Sequence, residues 1–274
     1  MKKVNILFLV LIGFALTFAS CKKDDNDDGD GDGGSPTSKT CYVTKMTNEN
    51  GSYTQVSYDA DNHVVKIEEF DSLGAADGYS VFTYTSGNMT KMEGYNAGAI
   101  DSKLEISYNS ENQPIKSDMF TDQGTGLTKI GYYEYTYSSS KLSKISMFFE
   151  ILSQMKEVKK SEFEYSGDNV SKVTNYELGG TLTLELSGTV EYTYDDKKNP
   201  FLNIGLNYFM GDIQFISKNN YTKMTIKDET GTIADDESAN ITYEYSTENY
   251  PTKATIVTFD NSNTEISTYT YNCK

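Results

Sequence analysis

The sequence has no arginine and no tryptophan, and it contains a single histidine, His63. Without arginine, the chain lacks the planar guanidinium group that binds phosphate or carboxylate with two parallel hydrogen bonds. A Ser-His-Asp triad or a histidine zinc site would have to use His63, which lies in a polar turn sequence. We interpret His63 as a solvated turn residue and expect neither a metal nor a cofactor.

Positive charge is also scarce, since 24 lysines stand against 40 acidic residues and give a formal net charge of −16. Removal of Lys2 and Lys3 with the leader described below would take this charge from −16 to −18. So acidic a chain repels polyanions, which excludes nucleic acid as a partner. No glycine-rich phosphate loop follows a strand and opens a helix either.

Long apolar runs are absent except at the start of the chain, in residues 4–18. Two lysines precede this run and Ala19-Ser20-Cys21 follows it, a pattern typical of a secretory signal peptide, here 1–20. The run is too short to predict a stable membrane span. The three closing residues resemble a lipobox, which implies that the cysteine is lipidated and becomes the mature N-terminus. The alternative is an ordinary signal peptide followed by a chance cysteine.

Residues 21–40 are rich in aspartate and glycine, and no apolar residue occurs between Lys22 and Gly34. Such a segment cannot offset the entropy of folding, so we predict a flexible acidic tether. Acidic residues directly after a lipidated cysteine resemble the surface-export signal of Bacteroidetes lipoproteins. The resemblance implies an outer-membrane protein that faces the cell exterior rather than the periplasm. An EF-hand interpretation fails, because Ser35 stands where the calcium loop needs its glutamate.

Residues 41–274 are predicted to form a single domain built from an internal repeat of about 27 residues. Each copy has an alternating strand that ends in tyrosine, a short polar turn, and a strand that contains lysine and an aliphatic residue. The alternation and the 22 tyrosines favour β-strands. Two incomplete copies lie at the ends of the domain: Tyr271 starts a copy that the C-terminus truncates, and Lys45-Met46 ends a copy that lacks its first strand. Weaker copies lie at Tyr194 and near Lys223-Met224. Full copies start at Tyr58, Tyr84, Tyr108, Tyr137, Tyr165 and Tyr245.

These repeats predict an all-β domain with about 18 antiparallel strands in a meander, because each turn joins two strands. We expect short turns at one end and longer loops at the other, at Asp71–Gly78, Asn96–Ser102 and Asp228–Asn240. A sheet of this length must curl or close, and closure into a barrel is the favoured outcome.

Two stretches depart from the repeat. The apolar spacing from Phe148 to Val158 also fits a helix, but we predict strands because the repeat interval continues across it. Residues 199–210 interrupt the repeat and are rich in apolar side chains. We interpret this second stretch as a plug or cap at one end of the barrel.

Two further cysteines frame the domain. Cys273 lies two residues after Tyr271, and Cys41 lies four residues before Lys45. In a complete copy these offsets fall on either side of a turn tip, so a Cys41–Cys273 disulfide would replace a missing turn and close the ring. Export to an oxidising compartment permits this bond. The alternative is two unpaired thiols on an open sheet.

The lipobox, the Tyr-turn-Lys repeats and the stretch from Tyr194 to Phe201 together resemble a Bacteroidetes lipoprotein family of unknown function with a porin-like β-barrel fold. The repeats resemble the tyrosine–aspartate repeats of Rhs-type shells more weakly. The family resemblance implies the barrel but no activity. Membrane-spanning barrels need an unbroken apolar outer band, whereas both faces of these strands contain polar residues, so we expect a barrel that does not span the membrane.

Carboxylate pairs could hydrolyse glycosides without histidine. The candidates are Glu68-Glu69, Asp195-Asp196 and Asp235-Asp236-Glu237. Adjacent strand residues face opposite sides, so none of these pairs converges on its own, and we interpret them as solvated charges.

The tyrosine rows suit contact with sugar or peptide, although one tyrosine at the same point in every copy also indicates a structural layer. The longer loops are the expected functional surface. The leading hypothesis is a non-enzymatic, surface-anchored module that binds a glycan, a peptide or another partner. The alternatives are a carboxylate-dependent hydrolase acting on polysaccharide and an architectural shell component.

Overall fold

A computed structural model describes residues 39–204 and 212–274. Sixteen antiparallel strands form a closed barrel in which each strand pairs with its neighbours in sequence and β1 pairs with β16. The predicted all-β closed barrel is confirmed. The strands are β1 (Cys41–Asn48), β2 (Tyr53–Tyr58), β3 (Val64–Phe70), β4 (Ala76–Thr85), β5 (Asn88–Asn96), β6 (Ala99–Tyr108), β7 (Pro114–Asp122), β8 (Leu127–Ser138), β9 (Lys141–Ile151), β10 (Gln154–Ser166), β11 (Asn169–Leu178), β12 (Leu184–Tyr194), β13 (Tyr221–Asp228), β14 (Ala239–Tyr245), β15 (Pro251–Thr258) and β16 (Thr264–Cys273).

The strand count is sixteen rather than about 18, because two predicted weak copies are halves of one copy. Tyr194 ends β12 and Lys223 lies in β13, and these two strands pair directly. Residues 195–220 separate them in sequence, which hides their relationship. The ring therefore contains eight copies, and one of these joins Tyr271 in β16 to Lys45 in β1 across the chain termini.

The connections define two ends of the barrel. The turn end carries the connections after even-numbered strands, together with both ends of the domain and the segment 195–220. The loop end carries the connections after odd-numbered strands. The prediction of a long loop at Asn96–Ser102 is wrong, because the two-residue turn Ala97-Gly98 joins β5 and β6. Both turn residues have positive φ, as a tight hairpin requires. The long loop between β13 and β14 is confirmed.

The hydrophobic core lies inside the barrel. Ile67 and Met92 are buried, whereas the flanking repeat lysines Lys66 and Lys91 are partly exposed. Alternation along each strand thus directs the residue after the repeat lysine inward, and this residue is buried in β3, β5, β7, β9, β11 and β15. The main cluster includes Val56, Val64, Phe82, Met89, Leu104, Ile106, Met119, Tyr135, Leu142, Ile145, Phe163, Val170 and Val173.

The outer face carries charge and aromatic rings. Lys66 pairs with Glu68 at 2.6 Å, and its ammonium nitrogen lies 4.4 Å from the centre of the Tyr79 ring. Tyr79 in turn stacks on Tyr95 of the next strand at 4.6 Å. Similar lysine–carboxylate pairs occur around the barrel, for example at Lys227–Glu191. The outer face of these strands therefore carries ion pairs together with aromatic rings.

The two stretches that depart from the repeat have different structures. The stretch from Phe148 to Val158 lies in β9 and β10, which confirms strands rather than a helix. The segment 195–220 contains two 3₁₀ helices, Pro200–Ile204 and Ile213–Phe215. Ile204, Ile213 and Phe215 are buried in the main core cluster, so the described part of this segment lies inside the barrel as a plug. Residues 205–210 of the predicted plug or cap lie outside the described residues.

Cys41 and Cys273 face each other in the β1–β16 ladder and form a disulfide with an S–S distance of 2.03 Å. Cys21, the signal peptide 1–20 and the tether up to residue 38 lie outside the described residues. Among the described residues, no helix is both long and apolar enough to cross a membrane.

Candidate functional site

A cavity of about 160 Å³ lies inside the barrel, between the plug and one side of the wall. The wall is formed there by β1–β3 and β13–β16, whereas the side chains of the other strands belong mostly to the packed core. Its polar and aromatic lining includes Tyr221, Tyr243, Tyr269, Asp212, Gln214 and Glu265.

The three tyrosines come from separate strands. The Tyr243 hydroxyl donates to the Tyr221 backbone carbonyl at 3.0 Å, whereas the hydroxyls of Tyr221 and Tyr269 have no hydrogen-bond partner among the described residues. Burial raises the pKa of Tyr269 to about 12, and burial together with the nearby Asp212 raises the pKa of Tyr221 further. All three phenols are therefore neutral near pH 7. The hydroxyls of Tyr221 and Tyr269 can both donate and accept hydrogen bonds, whereas that of Tyr243 already donates and can only accept.

Two carboxyl groups point to the same cavity. Asp212 caps the second 3₁₀ helix, where it accepts hydrogen bonds from the backbone nitrogen of Gln214 at 2.9 Å and from its side chain at 3.2 Å. Glu265 accepts from the Asn263 amide at 3.1 Å. Burial raises the pKa of both acids above the ordinary range. Among the described residues that line the cavity, none is a lysine.

Hydrogen bonds at the turn end hold the plug in place. Asp195 accepts from the backbone nitrogens of Lys197 at 2.9 Å and Asn220 at 3.2 Å, and also from the Tyr245 hydroxyl. The Asn199 amide donates to the Ser217 carbonyl at 2.8 Å. These contacts join the two ends of the segment 195–220 to each other and to β14. They therefore hold the plug, whose residues Asp212, Gln214 and Phe215 line the cavity, at the turn end of the barrel.

The repeat tyrosines have a shared structural role. In six copies the hydroxyl donates to a backbone carbonyl in the preceding copy, always two residues before the repeat lysine. Five of these bonds are 2.6–2.9 Å long, and the sixth is 2.5 Å. This regularity confirms the interpretation of the tyrosine rows as a structural layer. The pairs are Tyr58–Val43, Tyr108–Met89, Tyr137–Pro114, Tyr165–Leu142, Tyr194–Val170 and Tyr271–Pro251.

The structure does not bring the predicted carboxylate pairs together. Glu68 pairs with Lys66 on the outer face, and its neighbour Glu69 is half-buried with a pKa raised by desolvation. Asp195-Asp196 lies at the turn end, where Asp195 anchors the plug. Asp235-Asp236-Glu237 lies in the connection between β13 and β14, at the opposite end.

His63 is less solvated than expected. Its side chain is 33% exposed, stacks on Tyr84 at 4.6 Å and contacts Asp59 at 3.1 Å. Ligand atoms of Asp59, Asp61 and His63 lie within 4.8 Å of one another. However, one Asp59 oxygen already accepts hydrogen bonds from the backbone nitrogens of Asp61 and His63, as in an ordinary Asx turn.

Sequence reasoning missed Asp212 and Glu265 as a pair, because 53 positions separate them and Asp212 lies in the segment that breaks the repeat. The interruption of the repeat at residues 199–210 was the feature of the sequence that could have indicated an interior site. A segment rich in apolar residues inside a regular array either caps the barrel or enters it, and its polar residues then line the interior.

Together, the fold and the cavity define a closed sixteen-stranded β-barrel with an internal plug and an interior site. Two solved structures are similar to this chain. A porin-like protein from Bacteroides uniformis ATCC 8492 has a TM-score of 0.51 and 10% identity, with 84% of this chain and 98% of that chain covered. A porin-like protein from Bacteroides vulgatus ATCC 8482 has a TM-score of 0.49 and 12% identity, with the same coverage.

A more distant similarity links the chain to the TcdB2-TccC3-Cdc42 structure, with a TM-score of 0.33 and 10% identity; it covers 82% of this chain and 14% of that one. No protein-family model and no curated protein matches the sequence. The resemblance to porin-like proteins of Bacteroides, predicted from the sequence, is confirmed at the level of the fold.

Proposed function

We propose that this chain is a lipid-anchored binding module that takes a small polar ligand in its interior cavity. The observation that carries the proposal is the cavity of about 160 Å³, in which partly buried carboxyl groups and tyrosine hydroxyls without a hydrogen-bond partner among the described residues meet an apolar wall. A concave site with a few polar groups on an apolar surface is the usual form of a small-molecule site. The ligand is the size of one sugar unit or the end of a peptide rather than a polymer.

The outer face supports a binding role rather than a pore. Lysine–carboxylate pairs such as Lys66–Glu68 occupy the positions where a spanning barrel needs apolar residues. The plug residues Ile204 and Phe215 also fill part of the barrel interior. The proposed barrel therefore lies outside the bilayer and is joined to it through Cys21 and the tether.

Lipid attachment can be tested by metabolic labelling with an alkyne fatty acid. Label should appear in the wild-type chain and be lost in Cys21→Ser. Protease treatment of intact cells tests exposure at the outer surface: we expect digestion of the wild-type chain without lysis. Label in the Cys21→Ser variant, or protection until lysis, would contradict the anchor or the orientation respectively.

Ligand binding can be tested by thermal shift on the chain from residue 21 onward with Cys21→Ser, against monosaccharides, amino sugars, dipeptides and small amines. A cavity-filling variant, Ser267→Leu, should abolish any shift, because Ser267 lines the cavity. The neighbouring exposed Thr268→Leu is the matched control and should retain it. If no compound stabilises the protein, or if the filled variant responds like the control, the interior site is not the binding site.

One observation favours a second function. Asp212 and Glu265 line one cavity, and glycoside hydrolases use a pair of carboxyl groups in one site. Reducing-sugar release from a polysaccharide, lost in Glu265→Gln, would support a hydrolase. Binding without turnover would support the non-enzymatic module. For an architectural role, the expected result is co-purification with a larger assembly.

A further inference from the structure

We infer that the cavity selects a small organic ammonium ion, that is, a compact molecule with a protonated amine and an apolar body. The inference rests on the proposed function, since it names the class of ligand that the same cavity binds. Four features of the lining carry it: the sign of its charge, its hydrogen-bonding groups, its aromatic rings and its size.

The charge of the lining has one sign. Glu49, Asp212 and Glu265 line the cavity, and no described lining residue is a lysine. Lysine is not rare in the chain, which has 24 cationic residues, but its lysines pair with acids on the outer face, as Lys253 does with Glu244. An anionic ligand would meet carboxylates without a counter-charge, whereas a cation would compensate them.

The hydrogen-bonding groups of the lining also favour a donor-rich ligand. The Oδ1 atom of Asn263 is buried without a hydrogen-bond partner among the described residues, and the hydroxyl oxygens of Tyr221 and Tyr269 are unpartnered as well. Together with the carboxylate oxygens, these groups form a wall rich in acceptors. A buried acceptor without a donor is costly, and an ammonium group supplies up to three N–H donors at one point.

Aromatic rings add a further attraction for cations. Tyr221, Tyr243 and Tyr269 contribute three rings to one cavity, and the faces of tyrosine rings attract ammonium groups. Aliphatic side chains such as Ile67 and Ile256 line the remainder. This combination of rings, carboxylates and apolar wall suits an amine with a hydrocarbon body better than a bare metal ion, which needs six or more oxygen ligands if it is calcium.

Size limits the ligand further. A dry cavity of about 150 Å³ holds a molecule of the size of benzene, and this cavity measures about 160 Å³. A six-membered ring with one amine therefore fills it. Longer polyamines and oligosaccharides would have to extend beyond it.

The test compares compounds of one shape that differ in charge. Cyclohexylammonium chloride and cyclohexanol are titrated calorimetrically into the chain from residue 21 onward with Cys21→Ser, at constant ionic strength, with calcium chloride and tetramethylammonium chloride as further probes. We expect cyclohexylammonium to bind at least tenfold more tightly than cyclohexanol. Tetramethylammonium, which has no N–H donor, should bind more weakly than cyclohexylammonium.

Variants separate the lining charge from the charge of the whole chain. Glu265→Gln should weaken cyclohexylammonium binding at least tenfold, which corresponds to about 1.4 kcal/mol, and Asp212→Asn should act in the same direction while it keeps a capping side chain. Glu244→Gln removes an exposed outer acid and should leave binding unchanged. This comparison remains informative if one cavity variant fails to fold.

The outcomes also separate the inference from the proposed function. Equal or tighter binding of cyclohexanol, or of neutral sugars alone, would overturn the ammonium inference and leave the binding module intact. Binding of calcium alone would overturn it in favour of a metal site. If no probe or sugar binds at all, both the inference and the proposed function fail.

Discussion

Cys41 and Cys273, which are 232 positions apart, are joined by a disulfide and face each other in the β1–β16 ladder. The bond lies at the turn end, where every other copy has a covalent connection between its two strands. The copy formed by β16 and β1 has no such backbone connection, and the disulfide supplies the covalent link between its two strands.

Reduction of this bond should destabilise the barrel without unfolding it at room temperature. A disulfide that closes a long loop typically adds about 2–4 kcal/mol, largely by restricting the unfolded chain. Seven backbone pairings between β1 and β16 remain after its loss. The double variant Cys41→Ser/Cys273→Ser should lower the urea midpoint by a corresponding amount and make it insensitive to dithiothreitol. A midpoint equal to that of the oxidised wild type would contradict a stabilising role.

Removal of one repeat hydroxyl should cost about 1 kcal/mol of unfolding free energy. The Tyr58 hydroxyl donates to the Val43 carbonyl at 2.9 Å, and Tyr58→Phe leaves this acceptor unpaired. The control is Tyr95→Phe, since the Tyr95 hydroxyl has no hydrogen-bond partner among the described residues. Urea unfolding should show a loss for the first variant and almost none for the second. Equal losses would mean that the repeat hydroxyl bonds are not structural.

Truncation of the plug should be far more costly than truncation of an exposed loop. Phe215 is 6% exposed and meets the Phe201 ring edge-on at 5.9 Å, whereas Leu152 at the loop end is 84% exposed. Phe215→Ala should lower the unfolding free energy by about 3 kcal/mol, and Leu152→Ala by less than about 0.5 kcal/mol. A mild effect of Phe215→Ala in calorimetric melting would show that the plug contributes little to the core.

The buried acid Asp212 should make the barrel less stable as pH rises. Burial raises the pKa of its carboxyl in the folded state, so the folded chain holds a proton that the unfolded chain has already lost. Stability is therefore lost between the ordinary aspartate pKa of about 3.9 and the raised value. Asp212→Asn cannot titrate, and its stability relative to the wild type should increase from pH 4 to pH 7. A constant difference across this range would contradict a raised pKa for the buried Asp212 carboxyl.

The repeat pattern in the sequence determined much of the fold. Alternation and turn residues predicted strands, their antiparallel order and the closed ring, because these depend on local spacing and on the fixed offset between tyrosine and lysine. The cysteine offsets indicated the seam for the same reason. The number of strands was overestimated, because Tyr194 and Lys223 look like separate copies when 195–220 lies between them.

The candidate site depended on the tertiary structure. Pairing of β16 with β1 and entry of the plug into the barrel determine which face is the interior. Only these two contacts bring together the residues that share the cavity, namely Tyr221, Tyr243, Tyr269, Asp212 and Glu265. The repeats predicted closure and residues 199–210 predicted a plug or cap, but neither indicated which face is the interior, since both faces of the strands contain polar residues. Closure brings strands distant in sequence side by side, and burial of the plug converts ordinary carboxyl groups into a desolvated lining.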